Sequence, residues 1–200
     1  MIVVDVETTG LDPKKCSIVS IGAVEFYKPE NQFYVACRIF DGAEIGEEAL
    51  KINGFSKESL TDQLKPSLET AVKSFLNWAS HCTYRTIAGE NPTFDCDFLR
   101  ETVHHYEMGW PLGRRVVDLH SVSYAKHLEL GALNKIPFKN GVSELKADTT
   151  YSFVGIPEEP TPHHALNGAK WEAEAFSRLL HGKFLLEEFK EHTVPEYLKK

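Results

Sequence analysis

Nowhere in the 200 residues does an apolar run approach the roughly 18 to 20 positions a membrane span needs, so no spanning segment is expected. The start carries no basic region followed by an apolar segment and a cleavage site, and no export signal is expected. Cysteine is sparse: Cys16, Cys37, Cys82 and Cys96 are scattered, without the paired spacing of a zinc site. They are therefore expected to be reduced thiols in a cytoplasmic setting. An excess of positive charge is missing too, with 22 Lys and Arg against 29 Asp and Glu and a net charge of −7. This argues against a protein that coats nucleic acid by bulk electrostatics. It leaves room for one that grips a single strand end through a metal and a local basic patch. There is no internal repeat and no low-complexity stretch. The length suits one domain over 1–200, large enough for one substantial core.

What is present is concentrated at the start, MIVVDVETTGLDP. Met1 to Val4 is apolar and partly β-branched, which predicts a strand buried on both faces. Asp5 and Glu7 interrupt it two residues apart, and strand alternation sends both carboxylates to the same side. Like charges there are costly unless a cation lies between them, and a hard divalent ion such as Mg²⁺ prefers carboxylate oxygens. Thr8, Thr9 and Gly10 follow as a turn whose N–H groups and hydroxyls could hold a phosphate or ribose near that ion. A lone D-x-E is more often a solvated strand end; the longer string DVETTG behind a buried strand turns the reading toward a metal site.

Further along, Ser17 to Tyr27 and Gln32 to Phe40 read as strands joined by the turn Lys28 to Asn31, giving an antiparallel meander. Short helices are expected from Glu47 and over Lys57 to Gln63, the latter capped by Ser56. Pro66-Ser67 opens an amphipathic helix with Leu68, Ala71, Val72, Phe75, Leu76 and Ala79 on one face. Thr86 to Gly89 and Val116 to Asp118 read as short strands, each leading into a helix. Ser143 to Val154 is predicted helical, Pro157 to Pro162 an extended loop, Ala165 to Leu180 a long helix, and Phe184 to His192 a short one. Strands first, then strands alternating with helices, predict an α/β fold: a mixed five-stranded sheet, its first three strands antiparallel, with helices on both faces.

Two more segments carry chemistry. In GENPTFDCDFL, Asp95 stands at a helix start just after a buried strand, where the helix dipole alone would favour an acid. Asp97 points away from it, and Phe94 and Phe98 are i, i+4 neighbours. In PHHALNGA, a histidine pair leaves a proline-rich loop and enters a helix, where a general base could reach a metal-bound water.

Together, and in this order, the segments resemble the DEDDh family of 3′–5′ exonucleases, the class of bacterial proofreading subunits and RNase T. The likeness runs from Val3 to about Leu180. The family's D-x-E-T-T-G-L is matched by the opening motif. Its N-x-x-F-D-x-x-F-L is matched in Asn91, Phe94, Asp95, Phe98 and Leu99, and its H-x-A-x-x-D-A in His163, Ala165 and Ala169. The resemblance implies a ribonuclease H-like fold and a nuclease, a hydrolase that removes nucleoside 5′-monophosphates from the 3′ end of single-stranded DNA or RNA. It implies two divalent cations, Mg²⁺ or Mn²⁺, held by Asp5, Glu7, Asp95 and a fourth carboxylate, with His163 as catalytic base. Thr8, Thr9, Leu11 and Phe98 would contact the terminal nucleotide, the leucine packing on a base. No membrane partner is implied, and a polymerase partner or a homodimer is left open.

The chain departs from the pattern at Gly168, where the family has its fourth carboxylate. A one-residue shift of register does not restore an acid. Asn167 carries no charge and lies on another helical face, and Glu172, one turn on, is expected to reach back only by distorting the helix. Glycine inside a helix also costs about 1 kcal/mol relative to alanine. The chain is therefore expected to be an impaired exonuclease, through natural loss or an introduced change. The alternative is an inactive nuclease-fold module that binds 3′ ends.

Overall fold

In the computed structural model, which describes residues 1–199, the apolar opening forms β1 (Ile2–Thr8), the middle strand of a five-stranded sheet. β2 (Ile18–Glu25) pairs antiparallel with β1, and β3 (Gln32–Ala36) antiparallel with β2. On the other side, β4 (Ile87–Gly89) and β5 (Val116–Asp118) run parallel, giving the order β3-β2-β1-β4-β5. This is the mixed sheet with an antiparallel start that the pattern predicts.

Between β3 and β4 come α1 (Glu47–Asn53), α2 (Lys57–Leu60) and α3 (Leu68–His81). α4 (Pro92–His105) joins β4 to β5, and α5 (Leu119–Glu129) follows β5. A small hairpin of β6 (Phe138–Lys139) and β7 (Val142–Ser143) precedes α6 (Ala147–Val154) and the long α7 (Ala165–His181). The alternation of β1 sorts the two cores. Ile2, Val4 and Val6 pack with Ile18, Ile21 and Ile87 beneath α3 and α4, among them Leu68, Val72, Phe75 and Leu99. Val3, with Val24 and Ala88, faces α6 and α7 through Tyr151, Val154, Ala169, Ala173 and Phe176. Helices therefore cover both faces.

Several boundaries differ from expectation for identifiable reasons. The predicted helix over Ser143–Val154 begins only at Ala147, because Ser143 pairs with Phe138 across the hairpin. Asn140 and Gly141, at φ 52° and 79°, make its two-residue turn. Asn-Gly is the standard cue for such a turn. The expected helix at Phe184–His192 shrinks to a 3₁₀ turn at Glu187–Phe189. Its backbone is held by side chains of α7 instead: Leu185 and Leu186 N–H donate to Glu174 Oε2 at 2.7 and 3.0 Å. Arg178 Nη2 donates to the carbonyls of Phe189 and His192 at 3.1 and 2.7 Å. The Arg178–Glu174 pair is itself fully buried, at 2.6 Å.

The first turn of α7 lies directly on β2. A Cβ built on Gly22 would stand 2.1 Å from the carbonyl carbon of Ala165 and 2.2 Å from the Leu166 nitrogen. Backbone cannot yield there as a side-chain tip can. Gly22 pairs with Asp5 across the sheet, so this contact sets where α7 sits over the acids. Gly22→Ala is expected to destabilise the fold by about 2 to 3 kcal/mol, the upper part of the range for overpacking, read by urea denaturation. Wild-type stability would contradict the contact.

Candidate active site

Because β1 alternates, Asp5 and Glu7 share the side of Val3, facing α7. The strand pairing slips between Glu7 and Thr8, a bulge that turns the chain out of the sheet. Asp95 arrives from the first turn of α4, and its Oδ1 accepts a 2.9 Å hydrogen bond from Val6 N–H. That bond sets Asp95 beside the β1 segment that carries Asp5 and Glu7. A residue 89 positions away is thus fastened to the opening motif.

The cluster is electrostatically unfavourable as it stands. Burial, then Asp95, Glu7 and Glu159, pushes the Asp5 carboxyl well above the usual range. Glu7 is raised to about 7 by burial, then by Glu159 and Asp95. Asp95 is raised to about 7 by burial, tempered by the Val6 N–H. Glu172 is raised well above the ordinary range by burial, Asp5 and Asp95. Among the described residues, no lysine or arginine forms an ion pair with any of these four. Such a set of hard oxygen donors fits a divalent cation such as Mg²⁺ or Mn²⁺. Among the described residues, no three His, Cys, Asp or Glu side chains are already gathered around one point to hold an ion.

Gly168 lies against Asp5: a Cβ there would stand 2.2 Å from Asp5 Oδ2 and 2.8 Å from its Cγ. The Asp5 carboxylate thus fills the space a side chain at 168 would claim. Glu172 is buried, 6% exposed, without any distortion of α7. On a helix, side chains tilt toward the N-terminus, so Glu172 leans over the turn that holds Gly168.

The histidine pair divides its tasks. His163 donates its backbone N–H to Ile52 O at 2.8 Å, and its Nδ1 lies 4.0 Å from Glu159 Oε2. Its side chain is 43% exposed. His164 stacks on Tyr34, ring centroids 4.3 Å apart, and donates its N–H to Glu159 Oε1 at 3.4 Å. Glu159 had no distinguishing signal in the sequence, being one of two adjacent acids in a proline-rich loop.

Of the expected nucleotide contacts, Leu11 is 85% exposed. It lines a cleft of about 450 Å³ with Glu7, Thr8, Ile52 and Phe94. Thr8 Oγ1 donates to Gly10 O at 2.7 Å and so shapes the turn. Thr9 and Phe98 face inward. Thr9 is fully buried, donating to Glu44 O at 2.6 Å and accepting from Ser17 N–H at 2.9 Å, and Phe98 belongs to the core. Phe94, its ring tilted against Phe98 with centroids 5.0 Å apart, lines the cleft.

The fold is ribonuclease H-like. It superposes on the nuclease domain of 3′hExo, a DEDDh family member, with a TM-score of 0.67 at 16% identity, covering 98% of this chain and 95% of that one. The TM-score against Escherichia coli exonuclease I in complex with a dT13 oligonucleotide is 0.70 at 17% identity, covering 88% of this chain and 40% of that one. Residues 1–180 match the family described as the 3′-5′ exoribonuclease Rv2179c-like domain, and the chain belongs to that family of 3′–5′ exonucleases. It is also 30% identical over 186 residues to the 3′-5′ DNA exonuclease Cap18 of Escherichia coli, covering 86% of this chain and 87% of that protein. A DNA polymerase III subunit epsilon from Rickettsia typhi is 37% identical over 100 residues, covering 49% of this chain and 42% of the subunit. Among the described residues no helix is long and apolar enough to cross a membrane.

The raised carboxyls make stability depend on pH when divalent ions are chelated. Glu7 and Asp95, at ordinary values of 4.5 and 3.8, rise to about 7 in the fold. The folded state therefore holds more protons than the unfolded one between those values. Their contribution is fully present below about pH 4 and is lost as the pH rises through about 7. In EDTA, melting temperature is expected to fall from pH 5 to pH 8, less steeply in Asp95→Asn, as scanning calorimetry reads. A rise over that interval in both proteins would contradict the assignment.

Proposed function

We propose that this chain is a divalent-cation-dependent exonuclease that hydrolyses the 3′-terminal phosphodiester of single-stranded DNA or RNA and releases nucleoside 5′-monophosphates. What carries the reading is the fastening of Asp95 to β1 beside Asp5 and Glu7. This cation-seeking carboxylate set adjoins a cleft large enough for a nucleotide. Asp5, Glu7 and Asp95 would hold Mg²⁺ or Mn²⁺. Bound there, the cations would acidify the attacking water and offset charge on the phosphate and the leaving 3′-oxygen.

The chain's own groups supply the rest. His163, exposed at the rim, takes the proton from the attacking water, and Glu159 beside its Nδ1 steadies the imidazolium that results. Leu11, Ile52 and Phe94 give the terminal base an apolar bed. A base must be unpaired to lie there, which favours single strands. Thr8 and the Gly10 turn hold the outline of that bed through their mutual hydrogen bond. The complexes of exonuclease I with single-stranded oligonucleotides and the polymerase III relatives support a single-strand substrate and make a polymerase a candidate partner.

The departure at Gly168 favours a second reading, a module that keeps the fold and binds 3′ ends without cutting them. Release of mononucleotides from 3′-labelled DNA and RNA oligonucleotides in Mg²⁺ or Mn²⁺ separates the two. Cleavage that Asp5→Ala lowers by at least about 100-fold, the scale for losing a group that offsets transition-state charge, supports the enzyme. Binding without cleavage supports the module. Leu11→Ala is expected to raise KM by about tenfold, at the low end of the value of a base-stacking side chain, with kcat little changed. An unchanged KM would remove Leu11 from the base site.

A further inference from the structure

The family places its fourth carboxylate at a position that is glycine in this chain, yet α7 carries a buried acid one turn further on. Glu172 stands four residues after Gly168, about 6 Å along the axis and slightly more than one turn, on the same face of the helix. It is 6% exposed, and its Oε2 has no hydrogen-bond partner among the described residues. That oxygen would stand 3.2 Å from a Cβ on Gly89, so it lies at the end of β4 where that strand meets β1. Asp5 is its strongest electrostatic neighbour, followed by Asp95.

A buried carboxylate oxygen without a donor is expensive, and the Glu90 backbone N–H beside the carboxyl offsets only part of that cost. The other buried acid of α7, Glu174, shows the contrast: it binds Arg178 and two backbone N–H groups. Glu159, the other additional acid near the site, also has partners in His163 and His164. We propose that Glu172 replaces the missing side chain at position 168 as the fourth carboxylate of the cation site, reaching back one helical turn across Gly168.

Two features of side-chain geometry make the exchange work. Glutamate is one methylene longer than aspartate, and helical side chains lean toward the N-terminus, so the reach of Glu172 is directed back toward the turn that holds Gly168. Glycine at 168 then leaves the Asp5 carboxylate its present position against the helix. Any Cβ there would press on Asp5 Oδ2 at 2.2 Å and force the first ligand to turn. The site has exchanged a short acid in one turn for a long acid in the next.

The inference rests on the cation-dependent reading above, and one experiment tells their failures apart. Mn²⁺ is titrated into chelator-stripped protein, and bound ions are counted by electron paramagnetic resonance and calorimetry, for wild type and Glu172→Gln. Wild type is expected to bind two ions. In Glu172→Gln one of them weakens by about 10- to 100-fold, at least the cost of losing a group that supports a ligand. Two ions held at wild-type affinity by Glu172→Gln would overturn the inference and leave the cation-dependent reading standing. No Mn²⁺ on wild type would overturn both. Should Glu172→Gln not fold, Glu172→Asp, which keeps the charge but shortens the reach, is read the same way: a weakened second ion supports the inference and an unchanged one overturns it.

Discussion

The passage of α7 over β1 and β2 is the constraint on which the molecule depends. Helices normally stand 8 to 10 Å from their packing partners because side chains intervene. Here two glycines remove them: Gly22 admits the Ala165 backbone onto β2, and Gly168 admits the Asp5 carboxylate against the helix. The close crossing brings an acid-bearing helix face against an acid-bearing strand. Without it, Asp5 and Glu7 would be solvated groups at a strand end, with pKa values and chemistry to match.

Holding like charges together requires stability from elsewhere, and the far half of α7 supplies it. Ala169, Ala173 and Phe176 bury the helix against the sheet. Beyond them Arg178 binds Glu174 and reaches the carbonyls of Val154, Gly155, Phe189 and His192. A fully buried arginine is tolerated only when its donors are used, and this one gathers α6, α7 and the C-terminal segment into one unit. The helix is thereby secured at one end and free to present acids at the other. Functional sites commonly carry such local cost against a stable scaffold.

This division of labour bears on how the family's chemistry survives change. A metal site needs oxygen atoms at points in space, and a helix offers more than one residue from which a given point can be reached. Asp5 and Asp95 have little such freedom, because one is fixed by strand register and the other by its bond to Val6 N–H. The acid on α7 is the one whose position in the sequence can move by a turn.

Much of this was legible in the residues. The period-two placement of Asp5 and Glu7 predicted their common side, the apolar run before them predicted a buried strand, the order of strands and helices predicted the sheet, and three motifs carried the resemblance to the nuclease family. Asn140-Gly141 carried its hairpin cue in plain sight, though a helical pattern over Ser143–Val154 competes with it. Thr9 and Phe98, in contrast, read as nucleotide contacts because motif membership does not say whether a side chain faces the cleft or the core. Strand and helix periods are local, so the chain alone determined which residues share a face of one element. Which faces meet depends on contacts between residues far apart in sequence. Only the tertiary structure decided that Asp95 bonds to Val6, that Glu159 stands by His163, and that Glu172 lies buried among the acids while Gly168 makes room for Asp5.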